Sequence, residues 1–129
     1  MTTKLTTMMA ALLVTAASAC GKHDCELGSD EATFGAVAEI TKGAHRCSVM
    51  NSELVATHGD TSVDAVAQQY KAAADAKGWK VETEDYKGER ANGKALEGKL
   101  LKIALGDKTA TTLVYSLSGS LIETVTTVK

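Results

Sequence analysis

Residues 61–81, TSVDAVAQQYKAAADAKGWKV, change their apolar period within one stretch, and that change decides the fold class. Up to Gly78 the apolar residues recur at helical spacing, with Val63, Val66, Ala67, Tyr70, Ala73 and Ala74 on one stripe. Thr61 and Asp64 stand three apart, as in a capping box, and the alanines favour helix on intrinsic propensity. Gly78 is a natural left-handed stop, and Trp79 just beyond it can fold back on the last turn. From Trp79 onward the period falls to two, Trp79 and Val81 alternating against Lys80, Glu82 and Glu84. A long helix handing over to strands predicts an α+β fold.

Downstream the turn signals come at regular intervals. Asn92-Gly93 predicts a type I′ hairpin, Gly106-Asp107 a second two-residue turn, and Ser118-Gly119-Ser120 a third. The runs 95–105, 109–117 and 121–128 between them read as a meander of antiparallel strands, uninterrupted because the chain has no proline. Leu101, Ile103 and Leu105 share a face that Leu96 and Leu100 do not, which predicts a bulge near Gly98. The expected core under the helix then takes Leu113, Tyr115 and Leu117, leaving Val114, Ile122 and Val128 on the opposite face. That opposite face is not fully polar and calls for a cover, either the segment carrying Phe34 and Val37 or a partner protein.

Upstream, residues 49–57 read as one short strand interrupted by Asn51 and Ser52, with His58-Gly59-Asp60 turning the chain into the helix. Between Cys25 and Cys47 a helix start at Ser29, acids at Asp30 and Glu31, and a stop at Gly43 frame a second helical segment. Its Phe34, Val37, Ala38 and Thr41 fall on one face. The expected architecture is therefore an antiparallel meander sheet in the order β-α-β-β-β-β. One long helix packs on one face, and a short N-terminal helical segment is stapled by a disulfide.

The first residues carry an address. Lys4 precedes an uncharged, mostly apolar run to Ala19, the length of a secretory h-region and short of the roughly 20 residues that span a bilayer. Ala17-Ser18-Ala19 suits ordinary signal peptidase, and Ser18-Ala19-Cys20-Gly21 resembles the lipobox of bacterial lipoproteins; both place the cut before Cys20. The resemblance implies residues 1–19 as signal peptide, acyl chains on Cys20, residues 20–24 as tether and residues 25–129 as one domain. By the same resemblance Gly21 after the cysteine implies the outer membrane, facing the periplasm. Plain secretion, or a soluble periplasmic protein, is the alternative. Residues 43–85, with the inward Tyr70 and Gly78-Trp79, are in addition similar to a small α+β module of uncharacterised bacterial lipoproteins.

Cysteine parity agrees with the lipid assignment. Three cysteines are an odd count for an exported chain, and giving Cys20 to lipid leaves Cys25 and Cys47 to pair. A competing expectation gathers His23, Cys25, His45 and Cys47 from two H-x-C patterns into a metal or redox site. An oxidised pair cannot supply two thiolates, so the disulfide and the metal exclude each other. His58, Asp60 and Asp64 form a third cluster, readable as an acid–base site or as a capped helix start. Ser48, Ser52 and Ser62 lack a nucleophile elbow, and no glycine run has the spacing of a phosphate loop.

With 14 basic and 16 acidic residues mixed along the chain, no basic patch argues for nucleic acid. The sequence leads to a lipid-anchored envelope protein that binds or scaffolds, without cofactor or catalytic residues, its partners the membrane and an envelope protein. A small hydrolase is the remaining alternative.

Overall fold

The computed structural model describes residues 25–41 and 43–129. Residues 1–24, with the expected signal peptide, Cys20, His23 and the expected tether, lie outside the described residues. Helix α1 (Glu31–Ala38), flanked by single 3-10 turns at Gly28–Asp30 and Glu39–Thr41, precedes the hairpin β1 (Arg46–Met50) and β2 (Glu53–His58). Helix α2 (Val63–Ala76) follows, then β3 (Lys80–Glu89), β4 (Ala95–Ala104), β5 (Thr109–Ser118) and β6 (Leu121–Val128). The six strands form one antiparallel sheet in the order β1-β2-β6-β5-β4-β3, so the last strand returns to pair with β2 in the middle. The α+β architecture with its long helix, meander and stapled N-terminal helix is as the sequence predicts.

Two strands stand where the sequence suggests one. Asn51 and Ser52, both at positive φ (52° and 63°), make a two-residue turn of the I′ kind between Met50 and Glu53. The signal was weak because neither residue is glycine. At the long helix the cap is one residue later than predicted: Ser62, not Thr61, accepts from the Ala65 amide at 3.2 Å. Likewise α1 begins at Glu31 without a side-chain cap at Asp30, a 3-10 turn having taken Ser29. At its other end α2 stops as expected. Gly78 sits at φ 80°, and the amides of Trp79 and Gly78 return to the carbonyls of Ala74 and Asp75, a Schellman closure that a β-carbon would strain.

The turns of the meander depart in detail. Only Gly93 has positive φ at the Asn92-Gly93 corner, where Arg90 N–H bonds to the Lys94 carbonyl, so the loop is three residues long rather than a I′ pair. Gly106, at φ 93°, opens the two-residue turn closed by Leu105 and Lys108. No bulge lies at Gly98: its pairing runs unbroken from Lys80 with Ala104 to Glu89 with Ala95. Gly98 is required instead by close backbone approach, because a β-carbon there would lie 2.0 Å from the Val114 carbonyl oxygen. The bulge is at Leu117, which the pairings of Ser116 with Ile122 and Ser118 with Leu121 leave over.

Cross-strand register fixes which residues face α2. Val49, Leu54, Thr126, Thr112, Leu101 and Thr83 form one row across the sheet, and all face the helix side. On that side Leu101, Ile103, Ala110, Val114 and Ile122 are buried with Val66, Tyr70 and Ala74 of α2. The predicted assignment of Leu113 and Tyr115 to the core is therefore reversed, and so is that of Val114 and Ile122 to the opposite face. Leu113 pairs with Leu100, and Leu100 lies on the side away from Leu101. The alternation was correct; its phase was not. Phe34, Val37, Ala38 and Ile40 join the same core, so the stapled segment extends the helix layer and leaves the other face uncovered.

Candidate functional site

The cysteine region is a structural joint. Cys25 and Cys47 form a disulfide, Cα atoms 4.5 Å apart, and both are buried. The Thr41 hydroxyl donates to the Ala38 carbonyl and lies 3.2 Å from Cys25 Sγ, fitting the end of the α1 segment against the joint. Glu26 bridges to Ser48 in parallel, so the chain enters beside β1 at the end of the sheet bearing Arg46. Closing this loop contributes about 3 kcal/mol on the chain-entropy estimate. Both sulfurs being taken, the H-x-C set keeps no thiolate. His45 is exposed, its ring beside Gly59, and His23 lies outside the described residues. Among the described residues no three His, Cys, Asp or Glu side chains gather to hold a metal ion.

The His58 cluster separates as well. His58 is buried on the helix side and bonds through Nε2 to the Tyr70 hydroxyl at 2.8 Å, which reaches Thr124 Oγ1 at 3.0 Å. Burial first, and then the positive charge of His45, push the His58 pKa down; burial pushes that of Tyr70 up. Asp60 turns the backbone at φ 54° and is exposed, and Asp64 is exposed in the first turn of α2. The three do not form one acid–base site. The chain His58–Tyr70–Thr124 satisfies polar groups that would otherwise be buried without partners.

The outer face of the sheet, away from α2, holds the strongest candidate. An open groove of about 570 Å³ crosses it, within the roughly 300–1,000 Å³ of small-molecule sites. Its floor is Leu96, Leu100, Leu113, Tyr115 and Val125, with Thr111 and Thr127 beside them. Glu53, at the β1–β2 turn, stands at one end of the strands, and Arg90, Ala91 and Asn92, in the β3–β4 turn, stand at the other. Arg90 is held in place: its Nη2 donates to the Ser116 carbonyl at 2.7 Å and its guanidinium lies 5.7 Å from the centre of the Tyr115 ring. The Tyr115 hydroxyl donates to the Glu123 carboxylate, whose pKa is raised by burial and drawn back by Arg90. Asn92 Oδ1 accepts from the Lys94 amide, which leaves its NH2 group as a donor.

Sequence reasoning noticed that one face lacked a cover but chose the wrong face. Reading Leu96, Leu100, Leu113, Tyr115 and Val125 as one set would have found the groove; the signal was the pairing of Leu100 with Leu113 and of Leu113 with Val125 across neighbouring strands. Comparison of the chain with protein-family models, with curated proteins and with solved structures returns no match.

Proposed function

We propose that the chain is a binding module of the bacterial cell envelope, held to the membrane by acyl chains on Cys20 and working through the groove on the outer face of its sheet. The observation that carries this is the uncovered apolar floor, Leu96, Leu100, Leu113 and Val125, beside ordered polar groups at Arg90 and Asn92. Half-buried aliphatic side chains gathered in one groove with a few placed polar groups are the usual make-up of a ligand site. Binding rather than catalysis fits the placement of His58, which is committed to Tyr70 inside the core. The metal or redox alternative loses its thiolates to the disulfide, and the hydrolase alternative would have to use His58, whose imidazole and Tyr70 partner are buried in the core.

Two measurements separate the anchor from the groove. Replacing Cys20→Ser should abolish labelling by a radioactive fatty acid and move the protein from the membrane to the soluble fraction; retention of label and location would overturn the anchor. Independently, a neutral apolar fluorescent probe such as N-phenylnaphthylamine should bind the released protein, and Leu113→Asp should abolish its binding while leaving the circular dichroism unchanged. Equal binding by that variant would remove the groove from the proposal.

A further inference from the structure

We infer that the groove takes an amphiphile with one aliphatic chain and an anionic head, of which a fatty carboxylate is the simplest case, the head lying at Arg90. The inference rests on the groove being a binding site, as proposed above, and adds the chemistry of the ligand. Three observations lead to it.

The first is the distribution of polar groups. The floor is mostly aliphatic and aromatic, with Thr111 and Thr127 at its side, so the body of a ligand gains chiefly by burial, while a charged head finds its cationic donor at the end of the groove. At the β3–β4 turn those donors are a guanidinium and an amide. Arg90 uses Nη2 on Ser116, and among the described residues it has no ion-pair partner, so its remaining N–H groups are free to form a fork onto a carboxylate. The Asn92 NH2 group is a second neutral donor on the same turn.

The second is charge. On this face Glu123 already accepts from the Tyr115 hydroxyl, and among the described residues it makes no ion pair with Arg90, although its charge still feels that guanidinium. The acid that lines the groove, Glu53, stands at the far end of the strands, where it disfavours an anion. An anionic head is therefore directed to one end.

The third is position. Antiparallel connection puts the β3–β4 turn, the β5–β6 turn and the Arg46 end of β1 at the same end of the sheet. The chain enters at that end too, because Glu26 pairs in parallel with Ser48 beside the Cys25–Cys47 joint. Only residues 21–24 separate Cys25 of this joint from Cys20, at most about 18 Å of extended chain. The chain entry and Arg90 lie at opposite edges of the sheet, since β1 and β3 are its two outermost strands, but they share the end that an acylated Cys20 would turn toward the bilayer, where amphiphiles with anionic heads are at hand.

The test uses the full chain carrying Cys20→Ser, exported and released, with N-phenylnaphthylamine as reporter. Laurate, lauryl alcohol and lauryltrimethylammonium, each below the concentration at which it forms micelles, compete for the probe. Laurate should displace it at a concentration about tenfold or more below the other two, about 1.4 kcal/mol, and Arg90→Gln should remove that advantage while probe binding persists. Equal displacement by all three, or an advantage that survives Arg90→Gln, overturns the head-group inference and leaves the groove standing. Failure of the unaltered groove to bind the neutral probe overturns the groove and the inference together. Weak displacement by free laurate from the acylated protein alone, set against strong displacement from Cys20→Ser, would assign the groove to the protein's own acyl chain and overturn the free carboxylate as its occupant.

Discussion

The two faces of the sheet are built from the same six strands, yet burial on them runs against hydrophobicity. On the helix side the fully buried positions include Thr112, Thr124 and Thr126, whereas the outer side leaves Leu100, Leu113 and Val125 only half-buried. Threonine is short and β-branched, which suits a strand and lets α2 lie close. Its hydroxyl costs little there because each is paired: Thr112 with Thr126 at 2.7 Å, and Thr124 with Tyr70. The larger side chains on the other face have no such covering layer. The difference separates residues that hold the fold from residues that the fold holds out.

The sharpest way to break this comparison uses two neighbouring leucines. Leu101 is fully buried against α2, and Leu100, next in the chain, lies in the groove floor. Leu101→Ala should lower stability by about 3–5 kcal/mol, the cost of lost transfer energy plus a cavity. Leu100→Ala should lower it by about 1 kcal/mol or less, as at a surface position. Urea unfolding with an unchanged slope measures both. Equal losses would mean that the outer face is packed in the folded state and would end the distinction.

That pair also marks where the sequence became unreadable. The helix, its stop at Gly78, the disulfide and the number of strands after Trp79 all follow from local signals, because period, glycine and cysteine parity act over a few residues. The phase of the strands does not. Leu113-Val114-Tyr115 alternates equally well either way, and Leu101, chosen correctly for the core, selects Thr112 through the register of β4 with β5. That register follows from the two-residue turn at Gly106-Asp107, so the phase was legible from the turn and the pairing it fixes, and not from alternation within one strand. The turn at Asn51-Ser52 was missed for a related reason: two left-handed residues without glycine are tolerated only because the flanking strands pair across them. The groove was half legible, as an apolar second face, and its ends at Glu53 and Arg90 were not.

A smaller effect sharpens the account of the helix side. Thr126→Val leaves the Thr112 hydroxyl buried without its partner and should cost about 1–2 kcal/mol. Thr112→Val together with Thr126→Val removes both hydroxyls from a space that fits either shape, and should recover most of that loss. Stability of the two single variants and the double variant forms a cycle whose coupling measures the pair. A double variant as unstable as the sum of the singles would show that the hydroxyls act separately, and that the threonines are not buried by virtue of each other.

The smallest effect sets the faces against each other by titration. His58, on the helix side, has its pKa lowered by burial and by His45, the other imidazole at this end of the sheet. The unfolded chain therefore binds the proton first, and stability is lost as pH falls from the unfolded value near about 6.5 through the folded one. Glu123, on the outer side, has its pKa raised by burial against the pull of Arg90. Here the folded chain binds the proton first, so stability contributed by this group is present at low pH and is lost as pH rises through its folded value. Acid should thus weaken the helix side while relieving the outer one. Melting temperatures taken from about pH 7.5 to about pH 4.5 should fall in the upper part of that range, and His58→Gln, which can still bond to Tyr70, should flatten that fall. Glu123→Gln should leave the His58 limb in place and make the decline at the acid end steeper, because the compensating group is gone. If His58→Gln retains the full upper limb, the buried imidazole is not what makes the helix side sensitive to acid, and the paired hydroxyls alone distinguish the two faces.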